Sequence, residues 1–182
     1  MILPKIRDQR FITIRRGGTL TDGDHRLLAL WAAECAEHVL SRFEDVCPDD
    51  GRPRKAIEAA RAWAKGEITV MRAREAAGAS QDAAREIKEA SESARMAALS
   101  AGQAAVVAHV AAHELGAAAY AIRAVMEAAP KTEREAARAA ECEWQRGRLP
   151  LQIRELVLDD QRLRNGICWF LFVENDGRGV GS

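Results

Sequence analysis

Three observations predict an all-α fold, a single-domain bundle of about seven helices preceded by a short extended N-terminal segment. Residues 56–140 hold 32 alanines in 85 positions but only two leucines, Leu99 and Leu115, and alanine has the highest helix propensity because it loses no side-chain entropy on ordering. Outside that stretch, apolar residues recur at helical spacing. Capping threonines, first-turn prolines and terminal glycines punctuate the chain as helix starts and stops. Small side chains let helix axes approach closely, so a closed bundle is favoured over an open helical stack.

The elements follow in order. The stretch RFITIRRGG (10–18) alternates Phe11, Thr13 and Arg15 against Ile12 and Ile14 and stops at Gly17-Gly18. It reads as an extended segment or strand, or, lacking an obvious partner, as a segment laid across the bundle. Thr21 caps the first helix, with Asp22 and Asp24 favourably placed in its first turn. Leu27, Leu30, Trp31 and Cys35 form its apolar side, with Leu28, Ala32 and Val39 adjoining, and the loop EDVCPDDG (44–51) ends it. Pro53 is a first-turn proline of the next helix, which carries Ile57, Ala60 and Ala64 as a stripe and ends at Gly66. Thr69 caps another. From 80 to 128 the pattern is helical almost throughout and divides into three helices, with Gly78, Gly102 and Gly116 as breaks or close contacts. Pro130 ends that run, a helix follows to Gly147, and Pro150 opens another over 151–164. The apolar tail ICWFLFV (167–173) tucks against the bundle and completes a domain of residues 1–173, leaving 174–182 as a flexible tail.

Charge and composition exclude several classes. Lysine plus arginine equals aspartate plus glutamate at 27 each, and no quarter of the chain has the basic excess that a phosphate backbone demands, so nucleic acid is not an expected partner. No apolar run is long enough to span a membrane. The N-terminal MILPKIRDQRF carries charges where a signal peptide needs its apolar core. Cys35, Cys47, Cys142 and Cys168 have no paired spacing, which argues against zinc ribbons and disulfide frameworks. The expectation is a reduced, cytoplasmic protein with no cofactor.

The segment VVAHVAAHELGAAAYAIRAV (106–125) places His109 and His113 four apart, on one face if the whole segment is a helix. Zinc helices of the H-E-x-x-H type set the glutamate between the histidines; here Glu114 follows the pair. A metal would need further ligands, for which His25, His38 and Cys142 are available only through tertiary proximity. The favoured reading is a pair of packed histidines, with a metal site at His109 and His113 as the alternative. Glu44, Asp45, Asp49 and Asp50 resemble a calcium loop by charge alone and lack its register. RRGG and GRGVG do not match a phosphate loop. Cys35 and His38 are three apart but sit in an apolar pattern, which favours packing over nucleophilic catalysis. Trp31, Trp63, Trp144 and Trp169 read mostly as core anchors, any exposed one marking a partner surface.

Taken together, PKIRD (4–8), TIRRGGTLTD (13–22), DHRLLALWAAECAEHVL (24–40), RPRKAIEAARAWAKGEI (52–68), AAHELGAAAYAIRAV (111–125) and ECEWQRGRLP (141–150) resemble bacterial immunity proteins, small all-helical domains associated with polymorphic toxin systems. The resemblance covers roughly residues 4–173, and His113, Glu114, Gly116 and Tyr120 fall in one of its most specific stretches. It implies an antitoxin-like protein that binds a co-produced toxin and blocks it without catalysis. For a nuclease toxin, the acidic loop of Glu44, Asp45, Asp49 and Asp50 is the candidate contact. The alternatives are a metal-binding bundle or metal-dependent enzyme centred on His109 and His113, and a helical interaction scaffold. Exposed alanine faces would suit a homodimer.

Overall fold

Thr21 begins the first long helix as its sequence predicts: its Oγ1 accepts the Asp24 amide at 3.0 Å, satisfying one of the donors that a helix N-terminus leaves free. The computed structural model describes residues 3–172. Its α-helices are α1 (Asp22–His38), α2 (Ser41–Glu44), α3 (Arg52–Lys65), α4 (Val70–Glu86), α5 (Glu92–Val106), α6 (Glu114–Ala128), α7 (Arg134–Gly147) and α8 (Leu151–Arg164). The single-turn α2 accounts for the excess over the seven expected. Pro53 lies in the first turn of α3 and Gly66 closes it in the left-handed conformation, at φ 79°. Thr69 and Ser91 cap α4 and α5 with side-chain oxygens.

The stretch from 80 to 128 holds the end of α4 followed by α5 and α6 rather than three helices of its own, and the three glycines named as candidate breaks interrupt no helix. Gly78 and Gly102 lie inside α4 and α5, Gly116 lies in the first turn of α6, and the chain turns at 87–91 and 107–113 instead. A Cβ at Gly102 would stand 3.2 Å from the Ala77 carbonyl of α4, so that glycine serves a close approach. Helix α5 is the centre of the bundle, in contact with α1, α2, α3, α4 and α6, and it is buried on nearly every face, as a central helix must be. Its neighbours come close enough for serine hydroxyls to reach across. Ser80 donates to the Ala98 carbonyl, Ser93 to that of Ala124 and Ser100 to that of Ala117, each at 2.7 Å. Helix α1 lies over α3, α5 and α6 and closes the stack. Its buried side centres on Leu28, Ala32, Cys35 and Ala36, leaving Leu27 and Leu30 half-buried.

At the N-terminus, the expected extended segment is two 3₁₀ turns, Gln9–Phe11 and Ile14–Arg16, with one isolated bridge between Thr13 and Leu20. Phe11 and Leu20 insert into the core. At the other end the apolar tail only partly tucks in. Cys168, Leu171 and Phe172 are buried, whereas Trp169 is 43% and Phe170 66% exposed. Arg138 and Arg146 of α7 hold it by donating to the Leu171 and Phe172 carbonyls at 2.6 and 3.0 Å. Val173, the last residue of that tail, and residues 174–182, including GRGVG, lie outside the described residues.

Candidate functional site

The two histidines do not share a helix face. Helix α5 stops at Val106, Val110 is extended at φ −138°, and a 3₁₀ turn over Ala111–His113 leads into α6. His109 therefore sits in a junction and His113 at the cap of α6. Val106, Val107 and Val110 weaken helix propensity there through their restricted χ1, but the decisive term is tertiary. Carbonyls freed by the break are taken up by side chains from distant elements. His25 Nε2 donates to the Val107 carbonyl at 2.7 Å, Arg164 Nη1 to Ala112 at 2.9 Å, and Arg16 reaches His109 at 3.4 Å. Breaking a helix is affordable only where the lost hydrogen bonds are replaced.

His113 donates from Nδ1 to Gln103 Oε1 of α5 at 2.7 Å. Burial, reinforced by the Arg164 charge, holds its pKa down at about 4, so the ring is neutral at physiological pH. Beneath it lies a buried cluster that sequence reading missed. Arg164 donates from Nε to Asp160 at 2.8 Å and from Nη2 to Glu114 at 3.1 Å, and its Nη2 also contacts Asp160. Glu114 is 0% exposed, and burial pushes its carboxyl well above the usual carboxylate range against the pull of Arg164. The shift is toward the neutral acid, which limits the negative charge withdrawn from water beside the Asp160–Arg164 pair. The i,i+4 pair Asp160–Arg164 between apolar positions of α8 was the available sequence signal.

Above the junction opens a recess of about 440 Å³. Its floor includes Phe11, Trp63 and Val110, and its rim carries Arg7, Arg15 and Arg16 beside His25 and His109. Arg15 is paired with Asp22 at 2.8 Å. His25 and His109 are both held below the usual imidazole range, first by burial; for His109, Arg74, Arg16 and Arg7 add to it. Thus His25, one of the possible extra ligands, does meet His109 at one recess. His38 and Cys142 do not line it, and among the described residues no group of three or more His, Cys, Asp or Glu is placed to hold a metal ion.

The remaining candidates are engaged elsewhere. His38 stacks on Trp144, ring centroids 3.7 Å apart, and Nδ1 contacts Glu141 Oε2 at 2.8 Å. Cys35 is fully buried, and burial pushes its thiol well up, opposite to what a nucleophile needs. In the acidic loop Glu44 receives Arg54 at 2.7 Å and Asp50 receives Arg52 at 2.7 Å, while Asp45 and Asp49 are exposed. Of the tryptophans, Trp31 alone is fully buried, donating to the Gln145 carbonyl at 2.9 Å. Trp63 and Trp144 are half-buried, and Trp169 stands at the surface under Arg123.

The fold and these contacts define a close-packed helical protein whose buried ionisable groups are committed to structural pairs. Residues 18–152 match the family described as Imm-5 like putative immunity protein, and the chain belongs to that family. No curated protein and no solved structure matches it. None of its described helices is long and apolar enough to cross a membrane.

Proposed function

We propose that this protein neutralises a co-produced protein toxin in the cytoplasm by binding it stoichiometrically and covering its working surface, without turnover. The observation that carries the reading is family membership across residues 18–152. The architecture is consistent with it: α5 and α6 form a closely packed centre, and the groups suited to acid–base chemistry, Glu114 and Glu141, are buried in contacts with Arg164 and His38. Asp45 and Asp49, the two carboxylates of the acidic loop that Arg52 and Arg54 leave open, are a candidate contact for a basic toxin surface. The test is co-expression with the toxin encoded beside the gene. Restored growth together with an equimolar complex on sizing with light scattering is the expected result. Unrelieved toxicity with no complex formed would overturn the reading.

A further inference from the structure

The whole chain is neutral, yet residues 1–20 hold five cations against one acidic residue, Asp8. Arg10 is spent on Asp8 and Asp159, and Arg15 on Asp22. Of the other three, Lys5, Arg7 and Arg16, the fold brings the last two to the recess over the 107–113 junction, where Arg16 also reaches the His109 carbonyl at 3.4 Å. No carboxylate stands among the described lining residues. The first residue of α4, Val70, also reaches the lining, so the positive end of that helix dipole adds to the same field. The floor is apolar and aromatic, and Trp63 is held there by a tilted ring contact with His25 at 4.7 Å.

This combination selects its ligand. A space of about 440 Å³ is larger than a lone inorganic anion fills, and its apolar floor leaves such an ion partly unserved. A nucleic-acid strand needs cations that track its backbone, and here they are confined to one rim. Two large apolar side chains, Ile6 at 87% and Ile14 at 62% exposure, flank Arg7 and Arg15 in sequence, as at a surface that another protein covers. We propose that the recess receives an acidic side chain of a protein partner. Its carboxylate lies against Arg7 and Arg16, and a neighbouring apolar side chain rests on Trp63 and Phe11. Guanidinium forks match carboxylates in this way. That the partner is the toxin rests on the preceding reading; the chemistry of the recess does not. Trp63 of the floor and His109 of the rim fall within the matched span 18–152, while Arg7 and Arg16 precede it.

The experiment follows the Trp63 indole NMR signal, assigned with Trp63→Phe, in the full chain. The probe is a blocked peptide alternating glutamate and leucine; its glutamine counterpart and ATP are the comparisons. The expected result is a saturable shift with the glutamate peptide, at least tenfold weaker with the glutamine peptide. The Arg7→Gln/Arg16→Gln double variant should lose it to the same degree, and Arg72→Gln/Arg85→Gln, which removes two exposed charges of α4, should keep it. Both variants change surface residues, and an unaltered Tm confirms their folding. Equal binding of the two peptides, tighter binding of ATP, or full binding by the Arg7→Gln/Arg16→Gln variant would each overturn the proposal. In the co-expression assay, Arg7→Glu/Arg16→Glu should abolish rescue by a protein that otherwise rescues; equal rescue overturns the recess as the toxin contact. If the unmodified protein fails to rescue while the peptide titration holds, the toxin reading falls and the acidic-ligand site stands.

Discussion

Between α5 and α6 the helices meet through alanine, glycine and serine, and Ser93 and Ser100 each donate to a carbonyl of the facing helix. Where α8 meets α6, contact runs instead through Glu114, Asp160 and Arg164, three ionisable groups withdrawn from water. The first contact tolerates small losses, because each alanine contributes little area and the stabilisation is spread over many of them. The second concentrates its energy in one guanidinium. A buried ion cluster is a weak net stabiliser when whole and a severe liability when broken.

Arg164→Met tests that asymmetry most directly. It strands Asp160 and removes the donor to the Ala112 carbonyl, and should cost about 3–5 kcal/mol in urea denaturation. Replacing Glu114 and Asp160 by leucine in the same chain should recover most of the loss, since no buried charge is then left alone.

The next largest effect is the pH response of His113. Its pKa is about 4 in the folded protein against an ordinary 6.5. The unfolded chain therefore takes up a proton in a range where the native state refuses it. The contribution is fully present above about 6.5, is lost as pH falls, and is exhausted near 4, amounting to roughly 3 kcal/mol. His25 and His109 act in the same direction, so the quantity to measure is the difference between the stability–pH curves of the unmodified protein and His113→Gln. Parallel curves would show that His113 titrates alike in both states.

On the alanine side the effects shrink and change sign with space. A Cβ at Gly116 would meet Gln103 Oε1 at 2.5 Å, the atom that accepts from His113. Gly116→Ala should therefore cost about 1–2 kcal/mol through the displaced hydrogen bond. Gly78 lies exposed within α4 with nothing within 4 Å of its would-be Cβ. Gly78→Ala should stabilise by about 0.5–1 kcal/mol, read as a rise in Tm. Equal responses at the two glycines would mean that the α5–α6 approach is looser than described.

Local signals were legible in the sequence. Thr21, Pro53, Gly66, Thr69 and Pro150 mark helix ends by chemistry that acts within a few residues, and each does so in the structure. The His109–His113 segment misled because its alanines favour helix while its break is stabilised by His25, Arg16 and Arg164, which lie far away in sequence. The recess was hidden for the same reason. Its cations sit near the N-terminus and its floor near residues 63 and 110, and only the folded bundle superposes them.

The 107–113 junction has a consequence for the order in which the molecule assembles. Its carbonyls are met by partners 82 and 52 residues away in the chain, His25 and Arg164. Closing such loops costs chain entropy that must be spent before the contacts return anything. The helix pairs α3–α4, α4–α5 and α5–α6 join neighbours in sequence, and such local contacts are expected to form first. The junction completes only when both α1 and α8 have docked, so substitutions around it should give φ-values near zero in folding kinetics and change the unfolding rate rather than the folding rate.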